Sequence, residues 1–138
     1  MRKYIRELTL VYTAGCLGAF INSLFVWVCG AAGVTALLGV EIAPALTKSW
    51  LYPRIVWGGI WGVIILVPLF KNSHVLRGVV LSIIPTLTTL FILFPSRGNG
   101  ILGLNLGSLT PVFPLLFNIV WGAVAGGWYS VVSPKNGA

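Results

Sequence analysis

The chain reads as an all-α integral membrane protein: a four-helix bundle built from two parallel two-helix repeats, joined by apolar interfacial or re-entrant outer connections. Three observations predict this fold: a composition nearly devoid of charge, four apolar stretches of membrane-spanning length, and a motif written twice. Hydrophobic residues make up 57% of the 138, charged residues only 8%, and the mean hydropathy is +0.97. A soluble domain carries about 25% charged residues, so a chain this apolar has too little polar surface to face water.

The apolar stretches cover about 8–32, 53–70, 76–95 and 111–132. Each approaches the ~20 residues that a helix rising 1.5 Å per residue needs to cross ~30 Å of hydrocarbon. Membrane strands would instead alternate in polarity over ~10 residues, which these runs do not do.

Ile55-Val56-Trp57-Gly58 is followed after three residues by Gly62, and Ile119-Val120-Trp121-Gly122 likewise by Gly126. The frame places helices 2 and 4 as counterparts, within repeats of about 8–70 and 76–132 that form one transmembrane domain. Two helices per repeat return the chain to the same side, so the halves enter the membrane with the same orientation. This differs from the inverted repeats of many transporters.

Helix 1 is preceded by Arg2, Lys3 and Arg6. It reads as a retained span rather than a signal peptide, because only Leu8 to Tyr12 precede Cys16 and the apolar run continues beyond it. Small residues recur on it at helical spacing, Ala14 with Gly18 and Gly15 with Ala19. Gly58 with Gly62 and Gly122 with Gly126 repeat the device, which lets helices approach closely. Helix 3 carries Pro85 among Ser82, Thr86, Thr88 and Thr89. A kink is expected there, with hydroxyls near the freed backbone.

The connections 33–52 and 96–110 are long yet apolar, and Leu38 to Pro44 resembles Leu106 to Pro111. They are expected to lie in the interface or dip into the bilayer as short helices, or to form an apolar lid over the bundle. Tyr4, Phe70, Trp128 and Tyr129 suit one aromatic belt, and Trp27, Trp50, Tyr52 and Phe94 the other. The deeper Trp57, Trp61 and Trp121 are expected to face the bundle or a neighbouring chain, since an indole N–H in hydrocarbon needs a partner.

Charge sets the topology. Arg2, Lys3, Arg6, Lys71, Arg77 and Lys135 fall on one side, against Lys48, Arg54 and Arg97 on the other. The positive-inside rule therefore places both termini in the cytoplasm. The net charge of +7 sits on helix flanks rather than on one face, which argues for anionic headgroups and against nucleic acid. Cys16 and Cys29 lie ~20 Å apart along one helix and cannot bridge within the chain.

Chemistry-bearing residues are few. One His (His74) and two acids (Glu7 and Glu41) supply no carboxylate pair, no nucleophilic triad and no metal ligand set. No cofactor and no enzymatic activity are expected. No Asp, Glu, Lys or His falls mid-helix, which argues against a proton-coupled antiporter. The remaining candidate site is a polar cluster of Asn22, Glu41, Arg54 and Asn118 near the outer side, with Glu41 neutralising Arg54. The position before each Ile-Val-Trp-Gly copy breaks the repeat, holding Arg54 in one half and Asn118 in the other.

The run Trp50-Leu51-Tyr52-Pro53-Arg54-Ile55-Val56-Trp57-Gly58-Gly59, with Gly103 to Pro111 and Asn118 to Gly122, resembles a family of small bacterial inner-membrane proteins of unknown function. The resemblance implies a bacterial inner membrane and four spans, and no activity. Ala14 to Asn22 is also similar to the Gly-rich opening of small fluoride channels. That family's Asn-containing and Thr/Phe-rich pore motifs are not found downstream, so its function does not carry over.

Two functions fit these readings. The first is a non-enzymatic membrane protein acting through helix–helix contacts, as accessory subunit, assembly factor or scaffold beside other membrane subunits. The second is a small homo-oligomeric channel or permease for an ion or neutral solute.

Overall fold

A computed structural model describes residues 1–135 of the chain. The described residues are helical, with four helices long and apolar enough to cross a membrane: Arg2–Ala31, Lys48–Leu66, His74–Ser96 and Val112–Val132, hereafter spans 1 to 4. Span 1 begins and span 4 finishes at one end of the bundle, here the proximal end; the two long connections close the distal end.

Capping residues explain where the boundaries depart from the hydropathy reading. Span 2 starts at Lys48 rather than at Pro53 because the Thr47 hydroxyl accepts the Trp50 N–H (3.3 Å) and satisfies an orphan donor of the first turn. It tightens into a 3-10 helix over Gly62–Leu66 and stops four residues before the expected end. Val67 is extended, as the residue before Pro68 must be. The Ser73 hydroxyl caps span 3 from the Leu76 N–H (3.1 Å), drawing His74 and Arg77 into its first turns.

Span 3 is interrupted at Ser82, where His74–Leu81 gives way to Ile83–Thr88. Pro85 is the cause, since it offers no N–H to the carbonyl one turn earlier. Hydroxyls bracket the bend, Ser82 donating to the Val79 carbonyl (2.6 Å) and Thr86 to that of Ser82 (2.8 Å). A π turn over Thr89–Leu93 follows, just ahead of Pro95.

Glycines set the helix contacts. Gly15 of span 1 and Gly58 of span 2 meet so closely that a Cβ on Gly15 would overlap the Gly58 carbonyl oxygen. Gly62 lies against the Val11 carbonyl in the same way. Span 4 meets span 3 through Gly122 against Gly78 and Gly126 against the His74 carbonyl. Gly18 accommodates Trp121 of span 4. All six predicted packing glycines therefore lie at helix contacts, and Gly78 joins them.

The core follows from this packing. Val11, Ala14, Ala19, Ile65, Trp121, Ala125 and Tyr129 form one buried cluster, and Val26, Cys29, Val40, Phe113 and Phe117 a second toward the distal end. One aromatic expectation is corrected here. Tyr129 is buried within the bundle rather than in a belt, because its face of span 4 turns toward spans 1 and 3. Trp57 faces outward, 61% exposed, whereas Trp121 is 4% exposed and donates its indole N–H to the Gly15 carbonyl (3.1 Å). The glycine face of span 2 is committed to span 1, which leaves Trp57 on the outside.

The distal connections pack on each other. Val34–Leu37 forms a single helical turn and Ile101–Leu106 a 3-10 turn, with backbone outside any regular element between Val40 and Thr47. The Glu41 N–H donates to the Leu106 carbonyl (2.9 Å), and Gly107 sits against the Gly39 backbone. At φ 146° and in such close contact, position 107 admits no side chain without strain. Thr35 closes its own loop by donating to the Ile42 carbonyl (2.7 Å).

Candidate functional site

Near the distal end, Arg54 of span 2 reaches across to span 1. Its Nε donates to the Ser23 hydroxyl (2.9 Å) and its Nη2 to the Asn22 side-chain oxygen (2.8 Å). The Asn22 amide nitrogen in turn donates to the Phe117 carbonyl of span 4 (2.5 Å). Trp50, one helical turn earlier, lies under the guanidinium at 4.7 Å to the ring centroid. This network joins spans 1, 2 and 4 through groups that would be costly to bury alone.

Asn118 sits on the other side of span 4 and donates to the Thr86 hydroxyl of span 3 (3.1 Å). It does not meet Asn22 directly. The two Ile-Val-Trp-Gly copies are thus each preceded by a polar residue whose side chain reaches a hydroxyl on a neighbouring helix: Arg54 to Ser23, Asn118 to Thr86.

Glu41 is the correction. It is exposed in the distal connection, held by its backbone rather than its carboxylate, and no contact links it to Arg54. The backbone hydrogen bond to Leu106 ties position 41 to the other distal connection, not to span 2. Arg54 is therefore solvated by neutral oxygens and a ring face, without a carboxylate. Arg97, just past the end of span 3, is a second cation close enough to act on it electrostatically.

The proximal end holds a second network that the sequence reading left as separate loop and flank residues. Arg77 is only 7% exposed. Its guanidinium donates to the carbonyls of Ile65 (2.9 Å) and Leu69 (2.5 Å), capping the carbonyl end of span 2. The His74 Nδ1 lies 3.2 Å from Arg77 Nη1, and because arginine can only donate, that ring nitrogen accepts. The His74 ring packs edge-on against Tyr129 at 4.9 Å between centroids. The Tyr129 hydroxyl donates to the Glu7 carboxylate of span 1. All four spans meet in this cluster.

One signal could have located it. His74 and Arg77 are spaced i, i+3 after a Ser cap, so they share a face of the first turn of span 3. Among the described residues no group of three or more His, Cys, Asp or Glu could hold a metal ion. Cys16 is half-buried and Cys29 buried, and both are free thiols. No protein-family model matches the chain, and no curated protein or solved structure matches it either.

Proposed function

We propose that this chain is a non-enzymatic integral membrane protein acting through helix–helix contacts, as an accessory subunit, assembly factor or scaffold of a membrane complex. The observation that carries the reading is Trp57. Its counterpart in the other motif copy is buried with a satisfied indole. Trp57 points outward beside Val56 and Ile60, with no hydrogen-bond partner among the described residues. An indole N–H at that depth in hydrocarbon favours a protein neighbour that supplies an acceptor. A shallow groove along the seam of spans 1 and 2, lined by Leu8, Tyr12, Gly59, Ile60 and Val63, continues the same face. Asn22, Ser23, Thr86 and Asn118, by contrast, each hydrogen-bond within the chain, which favours a fixed scaffold over a moving one.

The architecture in this reading is two parallel repeats in a bacterial inner membrane, with both termini cytoplasmic. Support comes from paired contacts. Gly15 with Gly58 matches Gly78 with Gly122, Val11 with Gly62 matches His74 with Gly126, and Ser23 with Arg54 matches Thr86 with Asn118. Each pair keeps the same spacing along its helices.

Extraction in mild detergent followed by native mass measurement tests the function. A complex larger than one chain is expected, and Trp57→Ala should reduce it to the single chain while leaving thermal stability within about 0.5 kcal/mol. A closed ring of this chain alone that conducts solute in liposomes would overturn the reading in favour of a channel. So would an unassembled single chain in a native membrane extract.

A further inference from the structure

We propose that Arg54 forms, with Arg97, a binding site for a phosphate-type oxyanion at the distal end of the bundle. A guanidinium offers five N–H donors in a planar fork and does not lose its charge. The Ser23 hydroxyl and the Asn22 oxygen take Nε and one Nη2 hydrogen. The Nη1–Nη2 edge remains without a protein acceptor among the described residues, and it is not sealed from the surroundings. That edge is the bidentate fork that arginine presents to phosphate and carboxylate groups.

The edge is held in place. Asn22 is anchored on the Phe117 carbonyl, Ser23 is fully buried, and Trp50 stacks under the guanidinium. A positioned fork needs little reorganisation to bind. Charge argues in the same direction. The only acid in the distal connections, Glu41, is exposed and makes no contact with Arg54, and Arg97 adds a second positive charge within electrostatic reach. A positioned guanidinium with no carboxylate engaged on it, beside hydrocarbon, favours an anion as its counter-charge.

Depth suggests the class of anion. Arg54 is six residues into span 2, about 9 Å along the axis from its distal start. Tyr52 and Trp50 flank it at the level of an aromatic belt. A lipid phosphate at the membrane surface, or a free oxyanion entering from the distal side, presents the same chemistry to this fork. The proposal does not depend on whether a partner covers Trp57.

The test uses the full chain. In the first arm, protein purified in mild detergent is examined by native mass measurement for retained phosphatidylglycerol, comparing wild type with Arg54→Gln, Arg97→Gln and Lys48→Gln. In the second, delipidated protein is titrated with inorganic phosphate while Trp fluorescence is followed. Retention of phosphatidylglycerol that falls at least tenfold in Arg54→Gln and severalfold in Arg97→Gln assigns a lipid phosphate. Saturable phosphate binding lost in the same variants, without lipid retention, assigns a free anion. Arg97→Gln gives up no side-chain hydrogen bond, so it remains decisive if Arg54→Gln does not fold. Equal losses in Lys48→Gln and Arg97→Gln would mean diffuse surface charge and overturn the site. Absence of both kinds of binding in wild type would also overturn it.

Discussion

At the scale of single residues, buried polar groups mark where the fold is vulnerable. Arg77 satisfies the Ile65 carbonyl in the short 3-10 end of span 2 and the Leu69 carbonyl in the connection that follows. Arg77→Met keeps much of the side-chain bulk but strands both carbonyls. It should lower stability by about 1–3 kcal/mol, measured as unfolding in detergent micelles. Arg77→Lys should recover only part of this, because an ammonium lacks the fork that reaches both oxygens. An Arg77→Met protein as stable as wild type would mean that the carbonyls find other donors. The sequence showed Glu7, His74 and Arg77 at helix flanks and Tyr129 as an aromatic of one belt. What could not be read was that Glu7, Tyr129, His74 and Arg77 converge, since they come from three spans far apart along the chain.

At the scale of helices, the small residues were legible and their pairings were not. Spacing alone placed Gly15, Gly18, Gly58, Gly62, Gly122 and Gly126 at helix contacts. It did not say that spans 1 and 2 meet through one set and spans 3 and 4 through another, nor did it include Gly78. A Cβ at Gly58 would overlap the Ala19 methyl, and one at Gly122 the Gly78 carbonyl. Gly58→Ala and Gly122→Ala should each cost about 1–3 kcal/mol. Gly127 is a helical glycine on the same span with only ordinary contact at 3.8 Å from its Cβ position. Gly127→Ala should therefore be neutral, or stabilising by up to about 1 kcal/mol through helix propensity. Equal unfolding midpoints for all three variants would remove glycine packing as the basis of these contacts. Boundary errors had a local cause as well. Thr47 and Ser73 start helices earlier than hydropathy suggests, and Pro68 ends one sooner, because caps and breakers act within one turn.

At the scale of the whole molecule, two polar networks pin the ends of a bundle whose middle is held by backbone contact. The proximal network joins all four spans; the distal one ties spans 1, 2 and 4 through Arg54, Asn22 and the Phe117 carbonyl, while Asn118 ties span 4 to span 3. Six basic residues against three set the expected orientation, and Arg77, though buried, still lies on the side that carries the six. In a variant lacking Cys16 and Cys29, a cysteine at Lys3 should react with a membrane-impermeant thiol reagent only after the cells are opened. A cysteine at Asn99 should react in intact cells. The reverse pattern would invert the topology, and labelling of both in intact cells would dismiss four spans.

Hydropathy and spacing by themselves determined four apolar helices and the glycines that pack them. These are local properties, fixed by the solvent that each stretch can tolerate and by the period of a helix. Only the tertiary structure decided which faces meet. It buried Trp121 and left Trp57 outside, and it gave Arg54 the Ser23 hydroxyl and the Asn22 oxygen as partners in place of Glu41. The physical reason is that helices in contact satisfy one another's polar groups across large sequence separations. A motif written twice therefore takes its partners from the faces its two helices encounter, with Ser23 beside Arg54 and Thr86 beside Asn118.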